Sequence, residues 1–439
     1  MAELYPFRAL HYDPAAVGNL SKVVTQPYDK ISSDMQARYY EAHPANLVRI
    51  ILREKSDSAE NFYREAAREF RSWIENGAVV SERDACFYPY AQEYEVPGTS
   101  GERRSRWGFI GLLRLEDYPA RIVHRHEETL SGPKADRLEL LKATRANFGH
   151  IFMLYSDPAG AVENLFRGEI AARPWQQATD EYATNHRVWR VSDPGVIEPV
   201  VEAMRGKRLV IADGHHRYET SLSYRNLRRE EAPGDDRAEH VMATFVPMES
   251  EGLLILPTHR VVHGLTNFDW NRFSADARGF FDWTELTVAG SADRELGEFL
   301  ERSGRERPSL IAYGGDGHAA LLRLRQQADL PRGLTDLPEG LRGLDVVLLH
   351  RLLLEDVLGI DPQAVREQKN LRYVPEIQQA VQEVDGRHAQ ISFLMNPTPI
   401  TAVWENALAG QVLPQKSTDF YPKLLSGLTF YWMDNPAGQ

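Results

Sequence analysis

The sequence predicts a mixed α/β fold (α/β and α+β layers on a mixed sheet) with more than one core. Three observations predict it. Short apolar, β-branched runs alternate with segments of helical spacing along the chain. No heptad run, internal repeat or low-complexity stretch competes with that pattern. At 439 residues the chain has room for two or three domains. The division expected is 1–264, a mixed α/β core, and 265–439, a helix-rich α+β region.

The elements follow in order. Lys22 to Ile31 reads as a strand-like piece broken at Pro27, and Ser32-Ser33-Asp34 caps a helix to about Ala42. Asn46 to Leu52 is β-rich. Ser58 to Asn76 has helical spacing, with Phe62, Ala66, Phe70 and Trp73 on one face. Ala85–Tyr94 and Ser105–Leu115 read as paired strands around a Pro- and Gly-containing turn. The polar stretch from His124 to Pro133 is a loop, followed by a helix from Ala135 and a strand from His150 to Tyr155. Val188–Val191 is a short strand and Pro194–Met204 a helix. Arg208–Ala212 is a buried strand, Tyr218–Leu227 a helix, and His240–Val246 another buried strand. Beyond Gly264 helical patterns dominate, interrupted by a hairpin at Leu310–Leu324 around Gly314-Gly-Asp-Gly317 and an apolar run at Ala389–Met395.

Bulk properties exclude several functions. Net charge is −12, which argues against a nucleic-acid-coating role, since that needs a basic face. The single cysteine, Cys86, cannot form an intrachain disulfide and reads as a packed core thiol of a reducing compartment. Neither a signal peptide nor an apolar run approaching 18 residues is visible, so the expectation is a cytoplasmic protein without a membrane partner. The composition leaves room for a homo-oligomer.

The chemistry concentrates at Ile211-Ala-Asp-Gly-His-His-Arg-Tyr-Glu-Thr220, where a strand turns into a helix. Glycine lets backbone approach a ligand closely, and amides opening a helix attract anions. Arg217 adds a planar fork suited to phosphate or carboxylate. Asp213 is positioned to cap the helix. His215 and His216 cannot share one helix face, so at most one points at a ligand. A plain capped helix is the alternative. A second cluster, His124, His126, Glu127 and Glu128 with Lys134, Asp136 and Arg137, has residue types for proton transfer or a divalent ion but no strict metal spacing. Asp29 ends the Pro27-Tyr28-Asp29 turn, and His259 and Arg260 end a strand. Lys416 and Ser417 sit in a Pro-flanked loop that lacks the glycines of a Walker loop.

Taken together, Gln26-Pro-Tyr-Asp29, Arg125-His-Glu-Glu-Thr-Leu130, Ala212-Asp-Gly-His-His-Arg-Tyr-Glu-Thr220, Leu256-Pro-Thr-His-Arg260 and Gln415-Lys-Ser-Thr418 resemble a prokaryotic family, domain of unknown function ten-fifteen, described as serine-kinase-like. More distantly, Gly214-His-His-Arg217 resembles the phosphate-cradling turn of the ParB/sulfiredoxin-like superfamily. The resemblance implies a ParB/sulfiredoxin-like nucleotide-binding core with α+β elaborations. It implies a small-molecule kinase using ATP or ADP with Mg²⁺, free L-serine being the best single acceptor. Gly214, His215, His216 and Arg217 would hold the nucleotide. Asp213, His216 and either Asp29 or Glu128 would serve catalysis. His126, Thr129, His259, Arg260, Lys416 and Ser417 are the candidates on the substrate side. His215 stands where sulfiredoxins carry cysteine, which argues against sulfinic acid reduction. The alternatives are a non-catalytic nucleotide-binding regulator or scaffold, and a metal-dependent hydrolase using His124, His126, His215 and Asp213.

Overall fold

The computed structural model describes residues 1–52, 59–128, 132–287, 292–326 and 331–436. The chain forms two compact units. The first contains residues 1–125, 129–254 and 422–439, and the second 126–128 and 255–421. The crossover therefore falls at residue 254 rather than at the expected 264. The last residues return to the first unit, because Phe430 and Tyr431 pair with Leu10 and Asn147 there.

The first unit is built on a nine-stranded mixed sheet. Its strands are β1 (Leu4–Tyr5), β2 (Tyr88–Glu95), β3 (Arg103–Arg114), β4 (Val123–His124), β5 (Ile151–Tyr155), β6 (Gln176–Thr179), β7 (Asn185–Val188), β8 (Leu209–Asp213) and β9 (His240–Pro247). The order is β4-β8-β5-β9-β3-β2-β7-β6, with β1 pairing β3. β8 runs parallel to β4 and β9 parallel to β5; the remaining pairs are antiparallel.

The helices of this unit include α1 (Ala59–Glu75), α2 (Gly132–Thr144), α3 (Ala161–Ile170), α4 (Pro194–Arg205) and α5 (His215–Glu231), and, as expected, a helix capped by Ser32 over Ser33–Ala42. Val162 and Phe166 of α3 and Val200 and Met204 of α4 share a buried core with Phe109, Met153 and Phe245. α2 packs against both α1 and α5. The apolar stripe expected on α1 is buried, Phe62, Ala66, Phe70 and Trp73 included. Burial raises the pKa of the Cys86 thiol to about 11, consistent with an inert core residue.

The second unit contains a six-stranded, wholly antiparallel sheet: β10 (His259–Val262), β11 (Phe281–Glu285), β12 (Ser309–Gly315), β13 (His318–Leu324), β14 (Leu371–Val374) and β15 (Ile391–Leu394). Their order is β11-β13-β12-β15-β10-β14. Helices α6 (Ala292–Gly304) and α7 (Ile377–Asp385) supply Leu296, Leu300, Ala380 and Val384 to its core, with Val261, Ile311 and Leu321. Further helices run at Trp270–Ala277, Leu349–Val357 and Ile400–Leu408, and the hairpin at Gly314–Gly317 is as expected.

Two local expectations fail. Asn46–Leu52 contains a short helix, Val48–Ile51, because the Asn46 carboxamide oxygen accepts from Val48 N at 2.9 Å and turns the chain. Lys22–Ile31 forms no strand. It carries 3₁₀ turns at Leu20–Lys22 and Tyr28–Lys30, the second opened by Pro27 at φ −54°. The mixed α/β class itself is the observed one. No described helix is long and apolar enough to cross a membrane.

Candidate functional site

The strand-to-helix corner stands at the end of β8. Leu209 to Ala212 are buried, which anchors the strand, and its register against β5 shifts between Ile211 and Asp213. Such an irregularity re-aims the side chain that follows. Gly214 then takes φ +92°, a conformation that glycine adopts at least cost, and α5 begins at His215. Gly214 itself occupies the cap position and no side chain caps the helix, so the expected capping role of Asp213 is not observed. Its carboxylate is drawn instead to cations: Oδ2 accepts from Arg217 Nη2 at 2.7 Å, and Oδ1 lies 3.5 Å from Lys423 Nζ.

Arg217 is held between two glycines. A Cβ on Gly214 would stand 3.1 Å from its Nε and Nη2, and one on Gly149 would stand 3.2 Å from Nη1. Nη1 donates to the His150 carbonyl. The side chain is 16% exposed, so the fork is fixed but not closed off. His150 is locked from both ring nitrogens, Nδ1 to Thr244 Oγ1 at 2.9 Å and Nε2 to Thr429 Oγ1 at 3.2 Å. Burial, then the charge of Arg217, lowers its pKa to about 3, so it is a neutral support at pH 7.

The corner gathers positive charge. Burial alone would raise the Asp213 pKa, but Lys423, Arg217, Lys30 and His215 outweigh it and hold the carboxyl far below its ordinary value. Arg106 also faces this charge; it is buried over the Phe152 ring, and its Nε donates to Gln92 Oε1 at 3.1 Å. Gln92 in turn donates to the Lys423 carbonyl at 2.8 Å.

Beside Arg217 lies a cavity of about 80 Å³, lined among others by Tyr28, Arg137, Gly149, Thr220 and Ser426. The Arg137 guanidinium stacks over the Tyr28 ring at 4.3 Å and donates to the Ile51 carbonyl at 2.7 Å. Thr220 Oγ1 is buried and makes no hydrogen bond among the described residues. A fixed guanidinium, an uncapped helix start and an unused hydroxyl beside a cavity can receive an oxyanion.

The sequence-predicted residues divide between the units. Asp213, Gly214, His215, His216 and Arg217 form the corner, and Pro27-Tyr28-Asp29 brings Tyr28 to its cavity, with Asp29 exposed on the same turn. His126, Glu127 and Glu128 belong to the second unit. There His126 Nε2 meets Thr418 Oγ1 at 2.8 Å, and Glu127 Oε1 accepts from Lys416 N at 2.9 Å; Glu128 is exposed. Thr129 lies outside the described residues. His259 Nδ1 accepts from Met395 N at 3.0 Å, and Ser417 Oγ donates to the Pro414 carbonyl, so both are engaged in holding backbone. Lys416 is exposed at φ +59°, and Arg260 is buried. His124 meets the Arg121 carbonyl at 3.1 Å. Among the described residues, no group of three or more His, Cys, Asp or Glu side chains is arranged to hold a metal ion, so the hydrolase alternative lacks its ligand set there. The reading from residues alone passed over Arg106, Gln92, Lys30, Lys423 and His150, which reach the corner from distant segments.

No match is found among curated proteins. Distant likenesses exist among solved structures. A conserved hypothetical protein from Pyrococcus furiosus is 12% identical, with a TM-score of 0.35 over 72% of this chain and 93% of its own. A mutant free serine kinase in complex with ADP is 13% identical, with a TM-score of 0.37 over 76% and 95%. SbnI from Staphylococcus aureus, truncated at its C-terminus, is 11% identical, with a TM-score of 0.32 over 72% and 85%. The family model described as Protein of unknown function (DUF1015) matches residues 4–347 of the 439, and the chain belongs to that family.

Proposed function

We propose that the protein is a nucleotide-dependent phosphotransferase acting on a small hydroxylated metabolite, free L-serine being the acceptor to try first. The observation that carries this reading is the Arg217 guanidinium, fixed between Gly149 and Gly214 at an uncapped helix start and surrounded by further cations. Phosphoryl transfer needs positioning and charge neutralisation more than covalent chemistry from the protein. Arg217 and the first amides of α5, at Gly214, His215 and His216, would bind the phosphates, with Lys423 and Lys30 adding positive potential. Mg²⁺ is commonly held by one or two carboxylates plus phosphate oxygens, and Asp213 is the acid present for it; bound there, the ion would neutralise phosphate charge.

In the transfer itself the acceptor oxygen forms a bond to the terminal phosphorus as the bridging oxygen–phosphorus bond breaks. The hydroxyl proton passes to a carboxylate. Asp29 is the acid to test first, because its neighbours Tyr28 and Lys30 belong to the corner; Glu128 is the other candidate. His216 remains a candidate proton donor on α5.

The test is ³¹P NMR of purified protein with Mg²⁺, ATP or ADP, and L-serine. Phosphoserine is the expected product, and Arg217→Ala should lower kcat/KM by about 100-fold or more. Undiminished turnover in Arg217→Ala sinks the site assignment. Tight nucleotide binding without product from serine or other hydroxyl acceptors turns the reading to a nucleotide-responsive regulator.

A further inference from the structure

Arg260, a substrate-side candidate by the family resemblance, belongs to a polar cluster of the second unit to which the phosphoryl transfer proposed above assigns no role. Arg260 on β10 stands directly opposite Tyr373 on β14 in an antiparallel pair, so the two side chains leave the same face of the sheet. Arg260 is 2% exposed, yet among the described residues no carboxylate oxygen lies within ion-pair distance of its guanidinium. Nη1 donates to the Thr258 carbonyl and Nη2 to the Lys416 carbonyl at 2.8 Å, and the guanidinium carbon lies 5.4 Å from the centre of the Tyr373 ring. These contacts satisfy hydrogens without neutralising the charge.

Two donors there are left over. Arg260 Nε and the Tyr373 hydroxyl are each buried without a hydrogen-bond partner among the described residues, as is the His350 Nε2 nitrogen. His350 is 6% exposed and lies in the field of Arg260: burial, then that charge, lowers its pKa to about 3. It is carried on a π-helix, Leu349–Val357, a wide and rarely formed turn that recurs at functional sites. A buried cation that no carboxylate touches and two unmet donors are each costly, and a ligand reaching both donors would offset that cost.

We infer that Arg260 and Tyr373 form a binding site for a small monocarboxylate, whose oxygens accept from Arg260 Nε and the Tyr373 hydroxyl. A carboxylate suits the site better than a phosphate. There is one guanidinium charge, and the Glu127 carboxylate already acts electrostatically on both Arg260 and Tyr373, which disfavours a dianion. The site goes beyond phosphoryl transfer and stands whether or not that reading holds.

The test uses the full chain in chloride buffer at constant ionic strength, titrated with sodium acetate, glycolate or propionate and followed by calorimetry and thermal unfolding. Acetamide and inorganic phosphate are the comparison probes. At least one monocarboxylate should bind saturably and raise Tm, while acetamide does neither. Tyr373→Phe should weaken the response about tenfold, the loss of one hydrogen bond to a charged group. Arg260→Met should abolish it, and Arg217→Ala should leave it intact, which separates this site from the corner. Absence of saturable binding by all three monocarboxylates, equal binding of acetamide, preference for phosphate, or an undiminished response in both Tyr373→Phe and Arg260→Met overturns the inference.

Discussion

Arg217 and Arg260 show two ways of placing a guanidinium inside a protein. Arg217 has its counter-ion, Asp213 at 2.7 Å, and keeps 16% of its side chain open. Arg260 is closed off, stacked on Tyr373, and is met by carbonyl oxygens alone. The first is a charge pair between the end of β8 and the first turn of α5. The second leaves a buried positive charge that no carboxylate touches, which folding tolerates only at a cost.

The largest expected effect is on activity. Arg217→Ala removes the fixed fork, and the loss of about 100-fold in kcat/KM for phosphoserine formation should appear with little change in far-UV circular dichroism. A similar activity loss in Arg260→Met would blur the distinction between the two arginines.

Acid should destabilise both units. His150 in the first unit and His259 and His350 in the second each titrate near 3 in the folded protein, against an ordinary value of 6.5, with burial the leading cause. The unfolded chain therefore binds more protons between those values. Stability is full above 6.5 and is lost as pH falls toward 3, with a slope approaching about 1.4 kcal/mol per pH unit for each histidine. Urea midpoints at pH 7, 6 and 5 test this, the upper part of that range lying above the titration of ordinary carboxylates. His150→Gln should flatten the slope, and a flat profile in the wild-type protein removes the claim that these imidazoles are neutral by burial.

The corner was legible in the sequence because its parts are contiguous. An apolar strand, an acid, a glycine and an arginine lie within ten residues, and the periodicity on either side fixes which is strand and which is helix. The cations that complete it were not legible. Lys423, Arg106 and Lys30 come from three remote segments, and no spacing rule ties a lysine in a C-terminal loop to a strand end more than 200 residues earlier in the chain. The cluster around Arg260 was half legible: Thr258-His-Arg260 marked a strand carrying polar residues, but Tyr373 joins it through strand register. Errors arose where side chains override propensity. Asn46 caps its own turn and converts a β-branched run into a short helix. Asp213 was expected to cap α5, but nearby cations compete more strongly for a carboxylate than backbone amides do.

Substituting the counter-ion should have a smaller effect than removing the arginine. Asp213→Asn leaves Arg217 and Lys423 facing a neutral amide, which should cost about 2 kcal/mol of stability, since a partly buried cation loses its partner. It should also strengthen the binding of inorganic phosphate, the vacated fork being available to another anion. Chemical denaturation and a phosphate titration read the two effects separately. Weaker phosphate binding in Asp213→Asn would instead assign the acid a direct part in holding the anion, through a bound cation.

The smallest expected change is the most discriminating. Arg260→Met replaces a buried cation that no carboxylate touches with an apolar chain of similar length, while Tyr373 and Phe393, which stand opposite it in the sheet, remain to pack against the methionine. Two donations to carbonyls are lost, yet the desolvation cost of the charge disappears with them. The net change in ligand-free stability should lie within about 1 kcal/mol of zero and tend toward a gain. The same substitution at Arg217 should lose about 2 kcal/mol, because Asp213 is then left among groups arranged for a pair. Equal losses at the two positions in urea would mean that Arg260 is held by its carbonyls as firmly as Arg217 is by its carboxylate, and would remove the energetic reason for a ligand in the second unit.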